Sequence, residues 1–172
     1  MLGLTLFGSA SAYPVSILNW HEVVNDWVAD LPVVITYCPL CGTSMAFLAD
    51  SREGPLSFGV SGLLSNSDVI LFDRETETLW SQLLARAIAG PLRGTRLQAL
   101  VVTPTTLDNW LQAHPNSLVL STDTGYARDY LTAPSGDYAE NQGLLARVSA
   151  RSNRYHPKER VLGIEINGSC TS

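Results

Sequence analysis

The segment Leu31-Pro-Val-Val-Ile-Thr-Tyr-Cys-Pro-Leu-Cys-Gly-Thr43 constrains this chain more than any other. Pro32 to Tyr37 is apolar and rich in β-branched residues, the composition of a buried strand. That strand runs directly into two thiols two residues apart, with Pro after the first and Gly after the second. Cys38 to Gly42 must therefore turn, and Ser44 to Leu48 returns as a second strand. A dithiol on a turn between adjacent strands is the form of a metal-binding knuckle or of a redox pair.

The 172 residues suit one domain with a sizeable core. Hydrophobic residues make up 45% and charged residues 16%, which fits a well-packed domain rather than a disordered one. The net charge is −5 and no basic stripe is visible, so nucleic acid is excluded as a partner. The densest basic stretch, Arg151 to Arg160, reads as a solvated loop. No apolar run approaches the roughly 18 residues of a membrane span, so the chain carries no transmembrane segment. Its start lacks a positive n-region and alternates like a strand, which makes a poor signal peptide. Three cysteines are too few for a disulfide scaffold.

Leu2 to Phe7, the turn Gly8-Ser9 and Ala10 to Val15 read as an opening β-hairpin. Ile17, Leu18, His21, Val24 and Val28 recur at helical spacing and predict a short helix there. Asp50 to Gly54 is a polar loop. Leu56 to Val60, Val69 to Phe72, Thr78 to Ser81, Arg96 to Val102 and Leu118 to Leu120 read as further short strands. Thr105 or Thr106 caps a helix through His114, with Leu107, Trp110 and Leu111 on one face. Ser121 to Arg160 is rich in loop-forming residues. The sum is an α+β domain, predominantly β, of short antiparallel strands and hairpins with a few short helices.

Val161-Leu-Gly-Ile-Glu-Ile-Asn-Gly-Ser resembles the opening Met1-Leu-Gly-Leu-Thr-Leu-Phe-Gly-Ser in register. One reading is two unrelated strands that each carry a glycine turn. The other divides the chain into a β-rich domain over 1–160 and, over 161–172, the start of a truncated second repeat. On that reading a C-terminal half, or a protein partner, completes the protein.

Two Cys separated by two residues can present both sulfurs to one ion. The following Gly42 permits a positive φ that aims backbone N–H groups at the thiolates. Tetrahedral Zn²⁺ takes four ligands, and no second Cys pair exists. The remaining ligands would come from His21, His114, His156, Cys170 or a carboxylate. Cys38 and Cys41 with His21, on the preceding helix, form the expected site for a soft ion, copper or zinc. The redox reading makes the protein a thiol–disulfide oxidoreductase using Cys38 and Cys41. Ser44-Met-Ala-Phe-Leu has no helical amphipathicity, however, so the helix-dipole route to a reactive thiol is absent. The third reading is a non-catalytic binding or structural module whose Cys pair only staples a turn. The Ser61-Gly62 and Ser65-Asn66-Ser67-Asp68 stretches read as turn-formers that could also build a polar pocket.

The chain resembles a prokaryotic family catalogued as domain of unknown function three-one-seven-nine. The resemblance runs through Trp20-His-Glu-Val-Val-Asn-Asp26, Thr36-Tyr-Cys-Pro-Leu-Cys-Gly-Thr43 and Phe58-Gly-Val-Ser-Gly-Leu-Leu64. It continues in Asn66-Ser-Asp68, Asp73-Arg-Glu-Thr-Glu-Thr-Leu-Trp-Ser-Gln82 and Pro157-Lys-Glu-Arg-Val-Leu-Gly163. The resemblance lends no activity. It implies a periplasmic or extracytoplasmic setting, and members that continue past the point where this chain stops.

Overall fold

The computed structural model describes residues 1–52, 54–159 and 161, with the backbone of 164–166 and 169–171. The chain opens with β1 (Leu2–Leu6), β2 (Ser9–Tyr13), α1 (Val15–His21), β3 (Val23–Val28), β4 (Leu31–Cys38) and β5 (Thr43–Leu48). Next come β6 (Asp50–Ser51), β7 (Gly54–Pro55), β8 (Phe58–Ser65), β9 (Asp68–Asp73), β10 (Leu79–Ser81) and β11 (Arg86–Ala89). Then follow β12 (Ala99–Leu100), β13 (Val102–Pro104), α2 (Leu107–Ala113) and β14 (Leu118–Val119), with β15 (Ile164–Ile166) and β16 (Ser169–Thr171) last. The fold is mostly β and α+β, as the sequence indicates.

Three four-stranded sheets carry the architecture, ordered β13-β1-β2-β14, β12-β5-β4-β3 and β11-β10-β9-β8. The middle sheet takes part in both cores, and the pleat of β4 shows why. Val33, Ile35 and Tyr37 join Leu2, Leu4, Tyr13 and Leu18 in one core, whereas Val34 and Cys38 join Phe58, Val69, Leu71 and Trp80 in the other. Successive side chains of a strand point to opposite faces, so a strand buried on both sides reads as a continuous apolar run. The same alternation puts Thr36 and Cys38 on the face toward the third sheet. Asn25 clamps the second and third sheets together: its Nδ2 donates to the Phe58 carbonyl at 2.9 Å and its Oδ1 accepts from the Phe58 N–H at 2.7 Å.

The opening hairpin, the buried strand, its return strand and the capped second helix form where expected. Thr106 caps α2, its side chain accepting from Asn109 N–H. Of the three apolar residues on that helix only Trp110 is buried. A Cβ on Gly3 would lie 2.2 Å from the Trp110 ring, so β1 must be bare at that point.

The helix expected to run on toward Val28 instead ends at His21. Glu22 takes a left-handed φ of 60°, and Val23–Val28 pairs along β4 from Val23↔Thr36 to Val28↔Leu31. A spacing of four residues satisfies a period of two as well as one of 3.6, so Val24 and Val28 fit a strand equally well. Val23 and Val24, both β-branched, then favour the strand. The single strand expected over 96–102 divides in two. β12 pairs with β5 of the middle sheet and β13 with β1 of the first. β11 was not foreseen, and the polar loop at Asp50–Gly54 contains the small pair β6–β7.

Among the described residues of 121–159 there is neither helix nor strand. β15 and β16 pair Ile164↔Thr171, Glu165↔Cys170 and Ile166↔Ser169, the register in which β1 and β2 pair Leu4↔Ser11, Thr5↔Ala10 and Leu6↔Ser9. Residues 162, 163, 167, 168 and 172 lie outside the described residues.

Candidate functional site

β4 delivers Cys38 to the junction between the second and third sheets, where the side chain is 1% exposed. The chain then reverses: Gly42, at φ 68°, donates its N–H to the Cys38 carbonyl at 2.8 Å, and Thr43 pairs back against Cys38. This turn leaves Cys41 exposed above the buried Cys38. The backbone N–H groups of Leu40 and Cys41 favour the ionised form of Cys38.

The third sheet supplies what faces the pair. β8 and β9 are joined by Asn66 and Ser67, both left-handed at φ 52° and 64°, a primed turn whose twist suits a tight hairpin. Its tip lies over the thiols, with the Ser67 carbonyl oxygen 3.9 Å from Cys38 Sγ. Asp68, the first residue of β9, is 2% exposed. Its Oδ2 accepts from the Leu83 N–H at 3.1 Å, and its Oδ1 stands 3.4 Å from Cys41 Sγ. Cys38 Sγ, Cys41 Sγ and an Asp68 oxygen all lie within 4.8 Å of one another.

The electrostatics follow from this packing. The Cys38 thiol is drawn down to about 7, chiefly by the hydrogen bond from the Cys41 thiol. Burial and the Asp68 charge oppose that shift, and the two backbone N–H groups support it. Cys41 is pushed up because it keeps the proton that the pair shares. Burial raises the Asp68 carboxyl, and the bonds from Leu83 N–H and Cys41 limit the rise.

Gln82 adjoins the same cluster. It is fully buried, and its Nε2 donates to Thr36 Oγ1 at 2.7 Å and to the Thr43 carbonyl at 3.4 Å. Thr43 Oγ1 in turn stands 3.1 Å from Cys41 Sγ.

His21, the third ligand expected from the sequence, is engaged elsewhere. Its Nε2 is 2.7 Å from the Tyr130 hydroxyl, which also meets Thr124 Oγ1 at 2.6 Å, and its ring lies 5.5 Å from that of Tyr126. His114 packs its ring 4.2 Å from that of Trp110, and His156 Nδ1 accepts from the Lys158 N–H. The side chain of Cys170 lies outside the described residues. In the sequence Asp68 ends a turn-forming stretch that could also build a polar pocket, and a carboxylate is among the admissible partners of the thiols. Gln82 closes the segment Asp73–Gln82 that carries the resemblance, and nothing local to it points to the thiols.

A β-rich domain with a dithiol–carboxylate cluster at a sheet junction is thus the class that fold and site define. The chain matches, over residues 1–171, the sequence profile described as Protein of unknown function (DUF3179), and it belongs to that family. No curated protein and no solved structure matched it. Among the described residues no helix is long and apolar enough to cross a membrane.

Proposed function

We propose that this protein binds one divalent metal ion, Zn²⁺ fitting best, through Cys38, Cys41 and Asp68. The observation that carries the proposal is the convergence of the three donor atoms within 4.8 Å. Metal–sulfur bonds of about 2.3 Å and metal–oxygen bonds of about 2.0–2.2 Å at a tetrahedral angle put S···O near 3.5 Å. The Cys41–Asp68 separation of 3.4 Å agrees with that edge. The donor set also bears on the metal. Two thiolates alone suit Cu(I), whereas a hard carboxylate beside them suits the borderline Zn²⁺. Cys38 is the more acidic thiol of the pair, so the proton an ion must displace is chiefly the one Cys41 holds. His21 then serves to hold the segment around Tyr130 against α1.

Elemental analysis of protein purified under reducing conditions tests this. About one equivalent of zinc per chain is expected, and none in the protein with Cys38→Ser and Cys41→Ser. Equal metal in both proteins, or none in either, would overturn the proposal.

A second reading, reversible oxidation of the pair to a disulfide, is favoured by one observation: an exposed thiol sits over a neighbour of lowered pKa. Thiol–disulfide exchange with a small disulfide, lost on Cys41→Ser, would support it. Metal-free thiols that never exchange would remove it.

A further inference from the structure

We infer that Gln82 orients a water molecule bound to the ion, so that the centre keeps an open coordination position instead of a closed shell of four side chains. This rests on the metal reading above. It comes from an atom that reading does not use.

Among the described residues, Gln82 Oε1 is the one buried side-chain nitrogen or oxygen without a hydrogen-bond partner. Its orientation is not arbitrary. The Thr36 hydroxyl commits its proton to the Met45 carbonyl at 3.1 Å, so toward Gln82 it can only accept. The Thr43 carbonyl also only accepts. Turning the amide over would set its oxygen against two acceptors, so Nε2 must face Thr36 and Thr43, and Oε1 is left bare. A buried acceptor in this state marks a donor that arrives with water or a ligand.

The neighbours of Gln82 place it beside the cluster. Thr43 is the ladder partner of Cys38, and Thr36 shares the Cys38 face of β4. The residue after Gln82, Leu83, holds Asp68 through its N–H. Gln82 is therefore tied through direct neighbours to all three donor residues. Three protein ligands leave a fourth tetrahedral position, which water fills in open zinc sites, and a metal-bound water is a strong hydrogen-bond donor. An amide oxygen fixed by two other bonds is a suitable acceptor for it.

The test uses the intact chain loaded with Co²⁺. Wild type is expected to show a thiolate-to-Co²⁺ charge-transfer band and d–d bands that change with pH as the bound water ionises. Gln82→Met should keep the charge-transfer band and move that pH transition by about one unit or more to lower pH, because an acceptor favours the neutral water over hydroxide. Coincident transitions in the two proteins would overturn the role of Gln82 and leave the metal site standing. No charge-transfer band in wild type overturns both readings. Should Gln82→Met fail to fold, electron–nuclear double resonance of wild type in D₂O decides instead. Strongly coupled exchangeable deuterons at the distance of a directly bound water, nearer than the backbone amides of Leu40, Cys41 and Leu83, support a bound water, and their absence overturns it.

Discussion

Cys41 Sγ and Asp68 Oδ1 stand 3.4 Å apart across two sheets, although 27 residues separate them in sequence. The contact joins a turn of the middle sheet to the tip of a hairpin of the third. It also makes Asp68 the residue that separates a simple thiol turn from a candidate metal centre.

Asp68→Asn keeps the shape and one oxygen but removes the charge. Zn²⁺ affinity, measured by competition with a chromophoric chelator, should fall at least ten- to a hundredfold, roughly the scale on which weaker supporting partners already act. Unchanged affinity would place the carboxylate outside the ligand set.

The thiols should differ in reactivity. Cys41 is exposed but holds the proton of the pair, whereas Cys38 is the more acidic thiol but only 1% exposed, and access decides because the reagent must reach the sulfur. Brief alkylation of the native, reduced, metal-free protein should label Cys41 first and Cys38 only on unfolding, and added Zn²⁺ should slow the Cys41 reaction. Peptide mass mapping reads both results. Equal labelling would mean that the turn opens readily.

Gly3→Ala would place a methyl group against the Trp110 ring, where the unrelaxed separation is 2.2 Å. The ring is buried, and it is packed against β1 at Gly3. A loss of about 1–3 kcal/mol is expected, the usual range for overpacking, read as a lower urea midpoint at unchanged slope.

Asn25→Ala would strip the Phe58 backbone of both its bonds to Asn25, two of those that join the second and third sheets. Arg74 still donates to that carbonyl, so the N–H suffers most. About 1–3 kcal/mol of stability should be lost, the cost of one unsatisfied buried group.

Glu22 predicts a pH dependence. Burial raises its carboxyl above the ordinary value of 4.5. The folded state then binds the proton more tightly than the unfolded state, so this group costs nothing at pH well below 4.5 and destabilises as pH climbs through its folded value. Glu22→Gln should therefore raise the thermal midpoint at pH 7, and that gain should fade toward pH 4. A gain independent of pH would mean that ionisation of the buried carboxyl is not its cause.

Much of the local architecture is legible in the residues. The β-branched run predicts the buried strand, Gly42 the reversal after Cys41, and Thr106 the start of the second helix, because each depends on neighbours within a few positions. Where two periods coincide, as for Val24 and Val28, local spacing is silent, and pairing with β4 decides for strand.

The sequence by itself determined the dithiol, the turn that presents it and the predominance of strands. Tertiary structure alone decided the rest of the site. Nothing within ten residues of Cys38 indicates Asp68 or Gln82, because they arrive from β9 and from the turn after β10 across an inter-sheet junction. The expected His21 was drawn instead to Tyr130, a residue more than a hundred positions away. Strand pleat and hairpin twist fix which side chains share a volume, and in a domain built from long-range pairings that information is in the register, not in the spacing.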